Sequence, residues 1–174
     1  MTDSPSRFVC GCCGETFENW PPDVSFQRPD SIWTLDPQER AKRAWEGSDL
    51  CALDEKLFYI RGVLYVPLRD HDDKWGIGLW AQVSQDDFEH YMRIFNEDGV
   101  YEAPFEGVIA NELNAFGGLL GERVQIRLGN ATQRPSFLAV PNEGISSSEI
   151  AMVQMNGLGD ELLHKIIDLA VKKR

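Results

Sequence analysis

The chain has 174 residues, 43% of them apolar and 26% charged, and a net charge of −11, which suits one domain with its own core and excludes an intrinsically disordered segment. The acidic balance repels a phosphate backbone, so nucleic acid is excluded as the expected partner and a basic protein is favoured. Apolar runs are short, and Met1–Arg7 lacks the basic start and apolar stretch of a signal peptide, so no membrane is expected and the protein is placed in the cytoplasm.

In chain order, residues 8 to 14 read as a short strand entering a cysteine knuckle, Cys10-Gly11-Cys12-Cys13-Gly14. Two glycines there permit the tight turn that aims two thiolates at one metal. A proline-rich stretch around Trp20-Pro21-Pro22 follows, so residues 1–35 are expected to form an ordered arm on the body of a single 1–174 domain. Asp36-Pro37-Gln38-Glu39 then places a capping carboxylate, a proline at the first helical position and a glutamate three residues after the cap. A helix is predicted over 37–46, with Gly47 as its stop.

From Leu50 to Val83 the pattern is that of strands, over 57–60, 63–68 and 75–83, with Gly62 and the run Arg69 to Lys74 as the breaks between hairpins. Trp75 and Trp80 have opposite parity on their strand. They are expected on opposite faces, one in the core and one under a second layer or a partner. Ser84-Gln85-Asp86-Asp87 opens a helix whose Phe88, Tyr91, Met92 and Phe95 share a stripe that must pack on the sheet. Val124, Ile126 and Leu128 alternate as a half-buried strand, and residues 137–140 form another. Asn111 to Leu120 is ambiguous. Helices are predicted through Ile150 and Val153, after Ser146-Ser147-Ser148, and from Asp160 to the basic end Lys172-Lys173-Arg174. The fold class is α+β, a mainly antiparallel sheet with three to four helices and an N-terminal C-x-x-C knuckle.

Several blocks of the chain resemble the bacterial domain-of-unknown-function family 2199: Ser48 to Asp54, Phe58 to Leu64, Trp75 to Ser84, Phe105 to Asn111 and the pair Arg134-Pro135. The resemblance includes an opening C-x-x-C pair, matched by Cys10 and Cys13. It implies a bacterial domain and no substrate. One departure is that Val140-Pro141-Asn142-Glu143 leads directly to Gly144-Ile145, where the family has a His-Pro-Leu step.

The cysteines are the main candidates for chemistry. A structural zinc site takes four ligands, and the chain offers Cys10 and Cys13, with Cys51 as a third thiolate and Cys12, Asp49 or His71 as the fourth. The competing reading buries Cys51 as a small apolar residue between Leu50 and Leu53. A redox C-x-x-C is disfavoured, because no helix starts at its first cysteine. Asp70-His71-Asp72-Asp73 is read as a solvated turn rather than a cation site, and His90 and His164 as surface residues. Arg61, inside an apolar strand, either meets a carboxylate or ligand or points to solvent, the latter favoured by parity. No nucleophile elbow, phosphate loop or zinc-protease helix is present.

Two functions follow. One is a non-enzymatic interaction module, stabilised by zinc if the cysteines bind it, with an acidic surface for a basic partner. Toxin-neutralising immunity proteins are a physical precedent. The alternative is a small metal- or thiol-dependent enzyme using Cys10, Cys13 and Cys51, with His71 or Arg61 near the substrate.

Overall fold

The computed structural model describes residues 8–9, 13–14, 16–17, 24–69, 72–114, 117–141 and 148–171. Cys10, Cys12, the Trp20-Pro21-Pro22 stretch, Asp70, His71, residues 142–147 and the basic end at 172–174 lie outside the described residues. Near the N-terminus β1 (Phe8–Val9) and β2 (Thr16–Phe17) pair antiparallel, separate from the main sheet. Next come β3 (Val24–Ser25), α1 (Asp30–Trp33), α2 (Pro37–Arg43), β4 (Ala44–Glu46) and β5 (Leu50–Leu53). A meander follows of β6 (Leu57–Pro67), β7 (Lys74–Val83), β8 (Phe105–Ile109), β9 (Arg123–Arg127) and β10 (Ser136–Ala139), with α3 (Gln85–Arg93) after β7. The chain ends in α4 (Glu149–Asn156) and α5 (Asp160–Val171). The α+β class stands, with five helices among the described residues where three to four were expected.

The meander closes on itself as a barrel. Strands β6 to β10 each pair antiparallel with the next. Because their number is odd, the first and last must then run parallel, and β10 lies parallel to β6 over only two register pairs, Ser136↔Val63 and Phe137↔Leu64. Period-two alternation sorts the side chains. Ile60, Leu64, Val66, Trp75, Ile77, Leu79, Ile126 and Phe137 point into the main core, all 2% exposed or less.

Two features hold the parallel seam shut. The first is Gly62, a residue expected to break the strand. Instead β6 runs through it without interruption, because a Cβ there would lie 2.3 Å from the Phe137 ring and 2.8 Å from the Pro135 carbonyl oxygen. The missing side chain lets β10 approach, and the Val63 amide donates to that same carbonyl at 2.9 Å. The second is Gln154 on α4, whose amide bridges the strands beyond their last pair. It donates to the Tyr65 carbonyl (3.0 Å) and the Phe137 carbonyl (3.2 Å) and accepts from the Ala139 amide (2.7 Å).

A second, smaller core lies on the outer face of β6 and β7. Tyr59 and Trp80 point there with Cys51, Leu53 and Ile32, roofed by the segment from Phe26 through α1. The two tryptophans thus face opposite sides as expected, Trp75 in the main core and Trp80 in the second. Asn111, fully buried, fastens the roof. Its side-chain oxygen accepts from the Trp80 amide at 2.8 Å, and its nitrogen donates to the Arg28 carbonyl and to Asp30.

The other expectations divide on local chemistry. Asp36 caps α2 through the amides of Gln38 and Glu39, but the helix stops at Arg43, because residues 44–46 are taken by β5 as its edge partner. Ser84 caps α3 as expected, burying Phe88 and Tyr91 while leaving Met92 47% exposed. The described part of 111–120 is irregular. Strand β8, unassigned from sequence, is held between β7 and β9.

The seam makes a direct prediction. Gly62→Ala should cost about 3 kcal/mol, at the upper end of overpacking penalties, because the obstacle includes backbone. Urea unfolding measures it, and an unchanged midpoint would show that the barrel does not depend on this approach.

Candidate functional site

Outside the barrel, the seam is the floor of an open groove of about 650 Å³. Register sets what lies on it. Arg127 pairs with Ser136 and Ser136 with Val63, so these three form one row across β9, β10 and β6, all pointing away from the core. At a strand spacing of about 4.8 Å the row spans roughly 10 Å. Along β6 the floor continues from Val63 to Tyr65, and Lys74 joins from β7, opposite Pro67. Tyr91 and Phe95 form one wall, their rings edge to face at 5.5 Å. The connection from Gly129 to Arg134, between β9 and β10, forms the other.

The groove differs in charge from the molecule around it. Lys74, Arg127 and Arg134 line it against a single carboxylate, Asp49, in a chain of net charge −11. The Lys74 ammonium sits 4.3 Å from the centre of the Tyr65 ring, and Arg127 donates only to the neutral Gln125 among the described residues. Neither has a carboxylate partner among the described residues.

Asp49 organises the groove's edge. One carboxylate oxygen accepts from Arg134 Nε at 2.5 Å and the other from the Ser48 hydroxyl at 2.6 Å. Partial burial works against its charge, but those two bonds and the charges of Arg134 and Arg61 hold the Asp49 carboxyl below the usual range. Asp49 is therefore ionised at neutral pH. Arg61 stands behind it on the outer face of β6, half-buried, not pointing freely to solvent as parity suggested. Its guanidinium lies over the Trp80 ring at 5.8 Å, donates to the Ser25 hydroxyl (2.6 Å) and the Ser48 carbonyl (3.3 Å), and leaves a buried Nε without a partner among the described residues. Burial and the neighbouring Arg134 both lower its affinity for its proton. The Tyr91 hydroxyl is pushed up to about 12, first by burial and then by Asp49, so at neutral pH it is a donor.

The sequence candidates are placed as follows. Cys51 is 1% exposed in the second core, its Sγ 3.9 Å from the Gly47 carbonyl, and burial pushes the thiol up to about 12. Cys13 is exposed in the turn between β1 and β2, and Cys10 and Cys12 lie outside the described residues. No group of three or more His, Cys, Asp or Glu side chains suited to a metal occurs among the described residues. Asp72 and Asp73 are exposed in their turn, where Asp73 caps the Lys74 amide. His90 pairs with Glu102 at 2.9 Å on the surface, while His164 is half-buried. Sequence reasoning missed Tyr65, Lys74, Arg127 and Arg134 as a group. Each is an ordinary outward strand or loop residue, and only barrel closure brings them together.

The fold and site define an α+β protein built on a five-stranded barrel, with an externally placed, locally cationic groove along its parallel seam. The chain belongs to the family described as uncharacterized protein conserved in bacteria (DUF2199), whose model matches residues 9–157. No curated protein and no solved structure matches it. No helix among the described residues is long and apolar enough to cross a membrane.

Burial of Cys51 has a measurable sign. Above about pH 8.5 an unfolded chain releases its thiol proton, while the folded one keeps it until about 12. The folded state then holds more protons, so stability falls as pH rises through that window. Cys51→Ala should flatten the fall between pH 8.5 and 10 in urea titrations, before Tyr91 contributes. An unchanged slope would show that the thiol is not held neutral by the core.

Proposed function

We propose that this protein is a non-enzymatic binding module whose ligand seat is the seam groove, and that the groove takes an anionic segment of a partner protein. The observation that carries the reading is the local reversal of charge: three cations against one carboxylate, beside two tyrosines, on a strongly acidic chain. Lys74 and Arg127 have no carboxylate partner among the described residues for a ligand to displace, and barrel pairing fixes their backbones, so the ordering cost on binding is confined to their side chains. The volume lies within the range of ligand-holding clefts, and the open, extended floor suits a run of side chains. The net charge still opposes a long polyanion, which favours a short acidic stretch.

A basic partner, expected from overall charge, would meet the acidic surface outside the groove. The alternative of a thiol- or metal-dependent enzyme gains no support from Cys51, whose sulfur is packed in the second core and held as a neutral thiol. A zinc staple at the N-terminus is compatible with a binding role and rests on the Cys10 and Cys13 pair.

Fluorescence anisotropy with a labelled, extended, glutamate-containing peptide tests the proposal. The wild type should bind in a salt-sensitive manner. Arg127→Glu should weaken binding at least about tenfold, since a hydrogen bond to a charged group contributes roughly 1.5–3 kcal/mol. Arg93→Glu, an equal charge change at an exposed position of α3 outside the groove, should have little effect. Equal weakening by both would reduce the effect to net charge and remove the groove from the account.

A further inference from the structure

The geometry points to a phosphorylated residue as the anion that the groove takes from its partner segment, with Lys74 and Arg127 as the cations that hold the phosphate and Ser136 as a donor between them. This inference rests on the groove being the ligand seat and names the chemistry of that ligand. Its starting point is which of the lining charges are already answered. Asp49 is bonded to Arg134 and has Arg61 behind it, so the one carboxylate of the lining is matched by cations of its own. Lys74 and Arg127 remain. The Lys74 ammonium has the Tyr65 ring beneath it, Arg127 has the neutral Gln125 oxygen, and neither has a carboxylate partner among the described residues. Neighbouring carboxylates are engaged elsewhere: Asp73 accepts from the Lys74 amide, and Glu106, opposite Gln125 on β8, accepts from Arg123.

Strand order places these two cations on either side of a hydroxyl. Arg127 on β9 is in register with Ser136 on β10, and Ser136 with Val63 on β6. Lys74 reaches back from β7 over Tyr65, two residues along β6 from Val63. The Ser136 hydroxyl lines the floor and has no hydrogen-bond partner among the described residues. An anion lying over β10 therefore meets an arginine on one side, a lysine on the other and a hydroxyl donor below. A single carboxylate brings one charge and two oxygens. A phosphoserine brings about −1.5 to −2 at neutral pH and three acceptor oxygens, which matches two cations and a hydroxyl at once. Each of its bonds to Lys74 and Arg127 is charge-assisted, and such a bond is stronger than the one Arg127 makes to Gln125. Two separate carboxylates would each take one cation and leave Ser136 between them unused. The negative field of the whole chain opposes a dianion at a distance, but salt screens exposed charges beyond about 8 Å, and within that range the seat's own cations prevail.

The test uses three labelled peptides of otherwise identical sequence: one with a single phosphoserine, one with glutamate at that position, and one with two glutamates two residues apart. The wild-type chain should bind the phosphoserine peptide at least about tenfold more tightly than either of the others. Lys74→Gln and Arg127→Gln, both at exposed positions, should each lose about tenfold in phosphoserine affinity and less for glutamate, so the ratio shrinks. Ser136→Ala should lose less, and for phosphoserine alone. Arg93→Gln, outside the groove, should leave the ratio unchanged. Equal binding of the phosphoserine and single-glutamate peptides by wild type, or an unchanged ratio in both glutamine variants, overturns the phosphate seat and leaves the groove as a site for an acidic segment. A two-glutamate peptide that binds as tightly as phosphoserine overturns it in favour of two separate carboxylate contacts. Inorganic phosphate should compete only weakly, and competition as tight as the phosphopeptide's overturns the partner segment in favour of a free phosphate. Binding of no peptide by wild type overturns the groove as ligand seat and this inference with it.

Discussion

An antiparallel meander of five strands can close into a barrel only if one pair runs parallel, and that constraint shapes the rest of this molecule. The parallel pair is short, with two registered positions. Such a seam needs help. It is drawn tight by Gly62, where any side chain would collide with Phe137 and the Pro135 carbonyl, and it is extended by the Gln154 amide, which takes the place of backbone where pairing ends. The groove is a by-product of the same closure, since its floor residues are the outward-facing neighbours across β9, β10 and β6, and its loop wall is the connection that carries the chain to the seam.

Asn111 repeats the device on the opposite side of β7. Pairing between β7 and β8 covers Ala81 and Gln82, and the buried Asn111 side chain takes over at Trp80 while reaching to Arg28 and Asp30. A buried amide in this position is favourable only because each of its polar atoms is satisfied. The second core therefore hangs on a polar fastening, and Arg61 marks its boundary. Along the outer face of β6, Tyr59 is in the second core, Arg61 is half-buried over Trp80, and Val63 and Tyr65 open onto the groove. The arginine that parity assigned to solvent instead bridges the second core and the site.

Much of the architecture was legible from local chemistry. Asp36 and Ser84 cap the helices that their residue types announced, the alternation of Val124 and Ile126 marked a core strand, and the opposite parity of Trp75 and Trp80 foretold two layers. What local chemistry hid was long-range. Gly62 resembles a turn residue in sequence, yet its lack of a side chain serves an approach by β10, more than seventy residues later. Residues 44–46 continue a helical pattern until strand pairing claims them. The groove was hidden for the same reason: Asp49, Arg61 and Arg134 lie within blocks that carry the family resemblance, and hairpin pairing sets Asp49 beside Arg61, but only closure adds Arg134. Of the cysteines, the most conspicuous feature of the sequence, Cys51 belongs to the second core and Cys13 is exposed in the turn between β1 and β2.

The central claim is that the parallel seam is where this protein binds. The most direct measurement is a two-dimensional amide NMR titration of the isotope-labelled full chain with a glutamate-containing peptide. The seam account predicts saturable shifts concentrated at Val63, Tyr65, Lys74, Arg127 and the amides from Gly129 to Ser136. Shifts confined to the surface around α1 and β4, or none at a concentration where the protein stays folded, would contradict it.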